Sequence, residues 1–392
     1  MEFISVKEAA DKWGITPRWV QICCKEGIVE GAHRVGKSWL IPKNAEKPVK
    51  NKSLETTVNH PQYGQFMPLV TAAYEPGDCC KYIENIKNED EKNLAWAEYY
   101  YFSGQAVKAI PYTEKYLHHE DKAYRLSACM IYGYSNFTIG DLKKSIYALR
   151  IIKETDQWAR ENGDEYIKSM CRFVLSLEAV AVHKKDADKT FLQMQMKILP
   201  KGVRLFGCYI LAHDEYLKGN YERALGIAET AICVADTVHP IAKIYLNIIA
   251  AVALISMKER DEALTHFDRA WKLAKADGML QGFGVHHNML RGLVEARLKK
   301  DEVEDYMKIL DISTRFHKTR RINKNPDMIT DFHDDLKPIE LIIAILASQG
   351  WTNKEIANHM EISTNTVKYY ISIVYQKLQV SDRKQLQEHI NV

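Results

Sequence analysis

Between Thr352 and Leu378 the chain spells two short helices joined by a tight turn, with both helix starts marked. That leaves it little freedom in how to fold. Thr352 and Glu355 stand at capping-box spacing, where a hydroxyl satisfies the amide three residues on and the carboxylate reaches back. Ile356, Ala357 and Met360 give the helix that follows one apolar face. Ile362 is placed to plug the turn and Ser363 to cap the next helix. Val367, Ile371, Val374 and Leu378 recur at i, i+4, i+7 and i+11, the pattern of a helix buried along a single stripe. Its other face carries Asn365, Thr366, Lys368, Tyr369, Ser372 and Gln376, side chains suited to hydrogen-bonding bases and phosphates rather than to filling a core. The spacing predicts a helix-turn-helix.

Written out, Gly350-Trp-Thr-Asn-Lys-Glu-Ile-Ala, then Ile362-Ser-Thr-Asn-Thr-Val-Lys, then Lys377-Leu378 and Ser381-Asp-Arg383, the stretch of about residues 334–392 resembles the LuxR-type DNA-binding domain of bacterial transcription regulators. The resemblance implies a four-helix domain whose helix with Thr366 and Lys368 enters the major groove, usually as a dimer. Applied to this chain, it implies DNA contacts from Lys354, Thr364, Asn365, Thr366, Lys368, Tyr369, Ser372 and Lys377. The chain departs from the usual pattern at Ile339-Glu340, where the family often has Arg-Glu, and at Tyr370, where it often has His.

The N-terminus repeats the logic. Ser5 and Glu8 form another capping box, followed by Ala9, Ala10 and Trp13 on one face. Gly14 stops that helix, Ile15 plugs the turn, and Thr16-Pro17 starts the next with proline at its first position. Val20, Cys23 and Cys24 turn inward, and Gly27 ends the helix. His33 to Pro42 reads as a two-stranded hairpin turning at Gly36-Lys37. Residues 3–43 are similar to the small winged helix-turn-helix domains of the excisionase and MerR type. By that resemblance Thr16, Arg18, Trp19 and Gln21 face bases, and Arg34 and Lys37 are wing contacts. Gly31-Ala-His-Arg-Val-Gly36-Lys37-Ser38 also fits the pattern of a phosphate-binding loop. That loop needs a helix after it, whose amides hold the phosphates. Here Trp39-Leu-Ile-Pro follows, a strand and a stop, so nucleotide binding is not expected.

Basic charge sits where phosphates would be met. Net charge is +3, but residues 1–52 hold ten Lys/Arg against six Asp/Glu, and Arg315–Lys324 holds five Lys/Arg and no acid. No apolar run reaches membrane-spanning length and no signal peptide is visible, so a cytoplasmic protein without membrane contact is expected. The eight cysteines include the neighbours Cys23-Cys24 and Cys79-Cys80, which are poor disulfide partners, and no His cluster at zinc spacing accompanies them. Neither metal nor cofactor is expected.

The middle reads as helical almost throughout, and its units recur. Tyr101-Phe-Ser-Gly104, Phe137-Thr-Ile-Gly140, Tyr216-Leu-Lys-Gly219 and Ile255-Ser-Met-Lys258 each end one helix, and a small residue such as Ala106, Ala224 or Ala263 then opens close packing for the next. Gly104 and Gly140 are 36 residues apart, Ala224 and Ala263 are 39 apart, and the 79 between Gly140 and Gly219 leave room for a degenerate unit near His183-Lys-Lys-Asp186. These spacings lie near the ~34-residue tetratricopeptide period, which the middle resembles. Such an array forms a groove open to a peptide, a protein, a small-molecule effector or a second copy of the chain.

The expected fold is thus mainly α: a winged helix-turn-helix over 1–45, a linker over 46–62, a tetratricopeptide-like helical-repeat array over 63–314, a basic linker over 315–333, and a LuxR-type helix-turn-helix domain over 334–392. The expected function is a sequence-specific regulator that binds double-stranded DNA, as a homodimer. The alternative is an interaction scaffold whose N-terminal domain contacts protein. An enzyme is not expected: no paired carboxylates in a framing motif, nucleophile elbow or metal set is present.

Overall fold

The computed structural model describes residues 3–14, 16–25, 31–36, 38–45, 63–181, 196–324 and 336–390, together with Val29 and Lys47. The chain divides into two compact units, Met1–Thr57 and Val58–Val392.

In the first unit a strand β1 (Phe3–Ser5) leads into helices α1 (Val6–Trp13) and α2 (Pro17–Lys25), then strands β2 (His33–Val35) and β3 (Ser38–Pro42). The expected capping box forms: the Glu8 amide donates to Ser5 Oγ at 3.3 Å, and the Ser5 amide donates to Glu8 Oε2 at 2.8 Å. The sheet has three strands rather than the expected two. It runs β1-β3-β2, antiparallel, with Phe3 opposite Pro42 and His33 opposite Leu40. β1 is too short for alternation to announce it. Ala9, Ala10, Trp13, Val20, Cys23, Cys24, Val29 and Ile41 close over one another as a small core. The loop that fits a phosphate-binding pattern is the β2–β3 hairpin, and Ser38 opens a strand, not a helix.

The second unit opens with two short helices, α3 (Pro68–Thr71) and α4 (Cys79–Glu84). A run of longer ones follows: α5 (Glu89–Phe102), α6 (Ala106–Glu114), α7 (Lys122–Ile139), α8 (Leu142–Asn162) and α9 (Glu165–Ala181). After a short 3-10 turn come α10 (Lys201–Leu217), α11 (Tyr221–Val234), α12 (Pro240–Ser256) and α13 (Arg260–Asp277). Consecutive helices pack on one another, and so do alternate ones, α5 on α7, α7 on α9 and α10 on α12. Each helix pair thereby buries an apolar face that it could not bury alone. The turns fall where the sequence marks them. Gly140 ends α7 at φ 91°, a backbone state that costs a residue with a Cβ. In the fourth unit, where no glycine stands, Lys258 itself adopts φ 70°. Ala106, Ala224 and Ala263 are buried at the close approaches. The unit expected near His183 lies outside the described residues, as do all but Lys47 of the linker expected over 46–62 and residues 325–333 of the basic linker expected over 315–333.

Three short helices follow, α14 (Gln281–Val285), α15 (His287–Leu290) and α16 (Leu293–Leu298), then the long α17 (Val303–Lys324). Here the structure differs from the expected boundary at 315. The basic run Arg315–Lys324 is the last three turns of α17, not linker. Phe316, His317 and Thr319 are buried inside it, and Phe316 packs on Phe137 with ring centroids 5.3 Å apart. α17 lies against α7 as well as α14, α15 and α16, so the stack's own last helix bridges its early and late members.

Four helices end the chain: α18 (Pro338–Ser348), α19 (Asn353–Met360), α20 (Thr364–Leu378) and α21 (Arg383–Ile390). Their core joins that of the stack without a break. No helix among the described residues is long and apolar enough to cross a membrane.

Candidate nucleic-acid interface

Each start signal in the C-terminal four helices forms the bond it encodes. The Glu355 amide donates to Thr352 Oγ1 at 3.2 Å, and the Thr352 amide returns a bond to Glu355 Oε2 at 2.6 Å. The backbone bond from Thr352 holds the Glu355 carboxyl below its usual range. Glu361 turns the chain at φ 54°, Ile362 packs against the core, and the Thr366 amide donates to Ser363 Oγ at 3.0 Å. Val367, Ile371, Val374 and Leu378 are buried, as the stripe predicts. Thr364, Asn365, Lys368, Tyr369, Ser372 and Gln376 are exposed on α20, and Tyr369 is 63% accessible beside Tyr370. Lys354 is exposed on α19. An exposed face of amide, hydroxyl, phenol and ammonium groups on a helix of this length can offer donors and acceptors to base edges and phosphates together.

Two of the expected contact residues do internal work. Thr366 is half-buried in the cap, where its hydroxyl lies 2.7 Å from that of Ser363. Lys377 donates to the buried Glu340 carboxylate at 2.7 Å, and that carboxylate also accepts the Lys337 amide at 2.8 Å. Glu340 therefore ties α20 to the start of α18. Arg383 reaches both the Trp351 carbonyl and Asn353 Oδ1, joining α21 to the approach of α19. Sequence reasoning gave Lys377 and Arg383 no such structural duty, because both partners lie more than two dozen residues away.

The four helices are seated on the stack through α19. His359 is buried, and its Nε2–H donates to the Arg291 carbonyl, which can only accept. Burial pushes its imidazole down to about 4, so it is neutral, and Nδ1 has no partner among the described residues. Arg291 and Gly292 both stand in the left-handed region, at φ 48° and 92°, and a Cβ at Gly292 would collide with Met360 Sδ. At the rim, Arg260 donates to the His359 carbonyl at 3.3 Å and lies 3.5 Å from the Glu361 carboxylate, while Lys300 lies 3.8 Å from the same group. The Lys258 ammonium stands 5.7 Å from the centroid of the Trp351 ring. The seat thus uses the helix before α20 and leaves the polar face of α20 open.

In the first unit Thr16, Arg18 and Gln21 are exposed at and along α2, and Arg34 is exposed on β2. Trp19 belongs to α2, but its side chain lies outside the described residues, as does all of Lys37. No group of three His, Cys, Asp or Glu side chains placed to hold a metal occurs among the described residues.

Comparison with known proteins fits this geometry. Residues 338–390 match the family described as bacterial regulatory proteins, luxR family. These residues form a LuxR-type helix-turn-helix domain. The transcriptional regulatory protein LiaR of Bacillus subtilis is 45% identical over 53 residues, 14% of this chain and 25% of that protein. The HTH-type transcriptional regulator MalT of Vibrio parahaemolyticus is 23% identical over 223 residues, 52% of this chain and 23% of that protein. MalT of Vibrio campbellii is 23% identical over 155 residues, 35% of this chain and 17% of that protein. The chain therefore spans a quarter or less of the length of these relatives. No solved structure matches.

Proposed function

We propose that this chain is a sequence-specific transcription regulator of the cytoplasm that lays α20 in the major groove of DNA and acts as a homodimer. The observation that carries the reading is the doubly capped helix-turn-helix with its open polar face, in the segment that matches the luxR family. Lys354 and Lys368 meet phosphates, and Asn365, Tyr369 and Ser372 read base edges. The first unit is a winged second reader, using Thr16, Arg18, Trp19, Gln21, Arg34 and Lys37. The helical stack, a tetratricopeptide-like array, senses an effector and passes its state to the seated reader. An effector acts there by binding one arrangement better than another.

The test is selection of bound duplexes from a random library by the full chain, beside Lys368→Ala, Asn365→Ala and Arg18→Ala. Lys368→Ala is expected to weaken binding to all sites and lower the salt slope by about 1, whereas Asn365→Ala flattens preference at one position by about 1–3 kcal/mol. An unchanged salt slope removes Lys368 from the phosphates. Enrichment that Arg18→Ala leaves untouched gives the first unit to a protein partner, the scaffold reading for that half.

A further inference from the structure

The turn between α12 and α13 breaks a rule that three earlier turns of the stack keep. After α5, α7 and α10 stands a glycine in the left-handed region, Gly104 at φ 79°, Gly140 at 91° and Gly219 at 85°. In each turn the amide after the glycine donates to a carbonyl further back in the helix: Gln105 to Tyr100, Asp141 to Asn136, Asn220 to Glu215. Glu259 donates to Leu254 in the same way, and the residue in the glycine's place is Lys258, at φ 70°. A side chain with a Cβ is strained in this conformation, and lysine has no short polar group to ease it. Strain kept where three like turns avoid it points to a use for the side chain.

That side chain reaches the reader. Lys258 is exposed, and its ammonium stands 5.7 Å from the centroid of the ring of Trp351, the residue before the cap of α19. The bonds from Thr352 hold the Glu355 carboxyl low, and the charges of Lys258 and Arg383 add to this, so Lys258 lies near the first turn of α19. Lys354 is exposed in that same turn. Other cations of the stack's rim are engaged: Arg260 and Lys300 both face the Glu361 carboxylate. No carboxylate stands within ion-pair distance of Lys258 among the described residues. A ring face attracts the ammonium without using up its N–H donors, which stay open to an anion.

When a helix-turn-helix binds DNA, its second helix lies in the major groove and its first crosses the phosphate backbone. With α20 in the groove, the backbone that α19 crosses runs past Lys354, and Lys258 stands at the same turn. We propose that Lys258 contacts a phosphate of the bound duplex, so that the stack itself, and not the reader alone, forms part of the DNA interface. The contact carries no sequence information; it adds affinity and fixes how the stack sits over the duplex. It exists only while the reader is seated. An arrangement that withdraws the α12–α13 turn from α19 loses a phosphate contact with no change in α20. The inference rests on the reading that α20 enters the major groove.

The experiment measures binding of the full chain to its selected duplex and to an unrelated one, from about 50 to about 200 mM salt. Lys258→Gln is expected to weaken both alike and lower the salt slope by about 1, with a deficit about threefold larger at the lower salt. Lys258→Arg should keep the slope. Lys258→Gly removes the same charge and relieves the turn. It should lose the same slope, while the unfolding temperature of the second unit does not fall. A lysine that only braced Trp351 would leave the slope untouched in every variant. The slope decides: if Lys258→Gln and Lys258→Gly both keep it, the proposal is overturned. Lys368→Ala is measured beside them. A slope that falls in Lys368→Ala but in neither Lys258 variant overturns this proposal alone; a chain that binds no duplex overturns the regulator reading and this one with it.

Discussion

The two proposed readers are held in different ways. The N-terminal one is a compact unit of its own, closed by a handful of buried side chains around Trp13. The C-terminal one belongs to the same compact unit as the stack, and its core continues into that of the stack. Both begin with the same device, a capping box followed by a turn and a second helix. The local code for a helix-turn-helix is therefore indifferent to what lies next to it. What differs is one face of one helix: α19 buries His359 and Met360 against Arg291 and Gly292, and so makes the second reader part of a larger body. A reader built into a stack can be repositioned by it, whereas a separate unit answers mainly to its own core.

The largest expected effect comes from filling the seat. Gly292→Val adds a Cβ where Met360 already is, and forces a β-branched residue to φ 92°. The combined cost is about 3 kcal/mol. In calorimetry the transition of the second unit should fall by several degrees and split as the reader detaches, while the transition of the first unit stays where it was. A single unsplit transition at the original temperature would mean that the seat contributes little, and the contrast between the two readers would be one of proximity alone.

A smaller effect comes from pH. The His359 imidazole is held by burial at about 4, below the ~6.5 expected in the unfolded chain. The unfolded chain therefore takes up a proton between these values and the folded chain does not. Stability from this group is complete above about pH 6.5 and is lost as pH falls towards 4, by about 2 kcal/mol at about pH 5. The bond to the Arg291 carbonyl and the Glu295 carboxylate oppose this lowering of the imidazole, while the charges of Arg260 and Arg291 add to the cost of protonation. Glu295 is itself buried, which raises its carboxyl, but His287 at 2.7 Å and a backbone hydrogen bond together hold it low. His359→Gln keeps a donor for the Arg291 carbonyl and cannot titrate. Its second-unit transition should fall less steeply with pH than that of the unaltered chain, and identical slopes would place the sensitivity elsewhere.

How much of this could be read in advance depended on distance along the chain. The caps at Ser5, Thr352 and Ser363, the stripe from Val367 to Leu378 and the turns at Gly104, Gly140 and Gly219 rest on residues within a few positions of each other, and all stand as expected. The seat pairs residues 68 apart, and nothing local announces it. One clue was present, since His359 follows Ile356 by three and so falls on the apolar face of α19. The misplaced boundary at 315 has another cause. Five charges hid the buried Phe316, His317 and Thr319 in the same ten residues, so a helix with one wet face read as linker. Of the expected DNA contacts, exposure was legible for Asn365, Lys368, Tyr369 and Ser372. It was not for Thr366 and Lys377, whose side chains are engaged by Ser363 and by the distant Glu340.

The smallest expected effect tests whether the seat is set by its core or its rim. Arg260 is 29% accessible and Glu361 42%, so their attraction is screened, and the Lys300 pair is looser still. Arg260 also bonds the His359 carbonyl, a further link from the stack to the C-terminal turn of α19. Arg260→Ala removes both and should cost about 1 kcal/mol, shrinking with added salt to what the carbonyl bond alone supplies. Lys300→Ala, which touches Glu361 alone, should cost less than half as much and vanish in high salt. If Lys300→Ala matches Arg260→Ala, the rim holds the reader as charge against charge. Its position would then follow ionic strength, and the resemblance to a single body would hold only in dilute buffer.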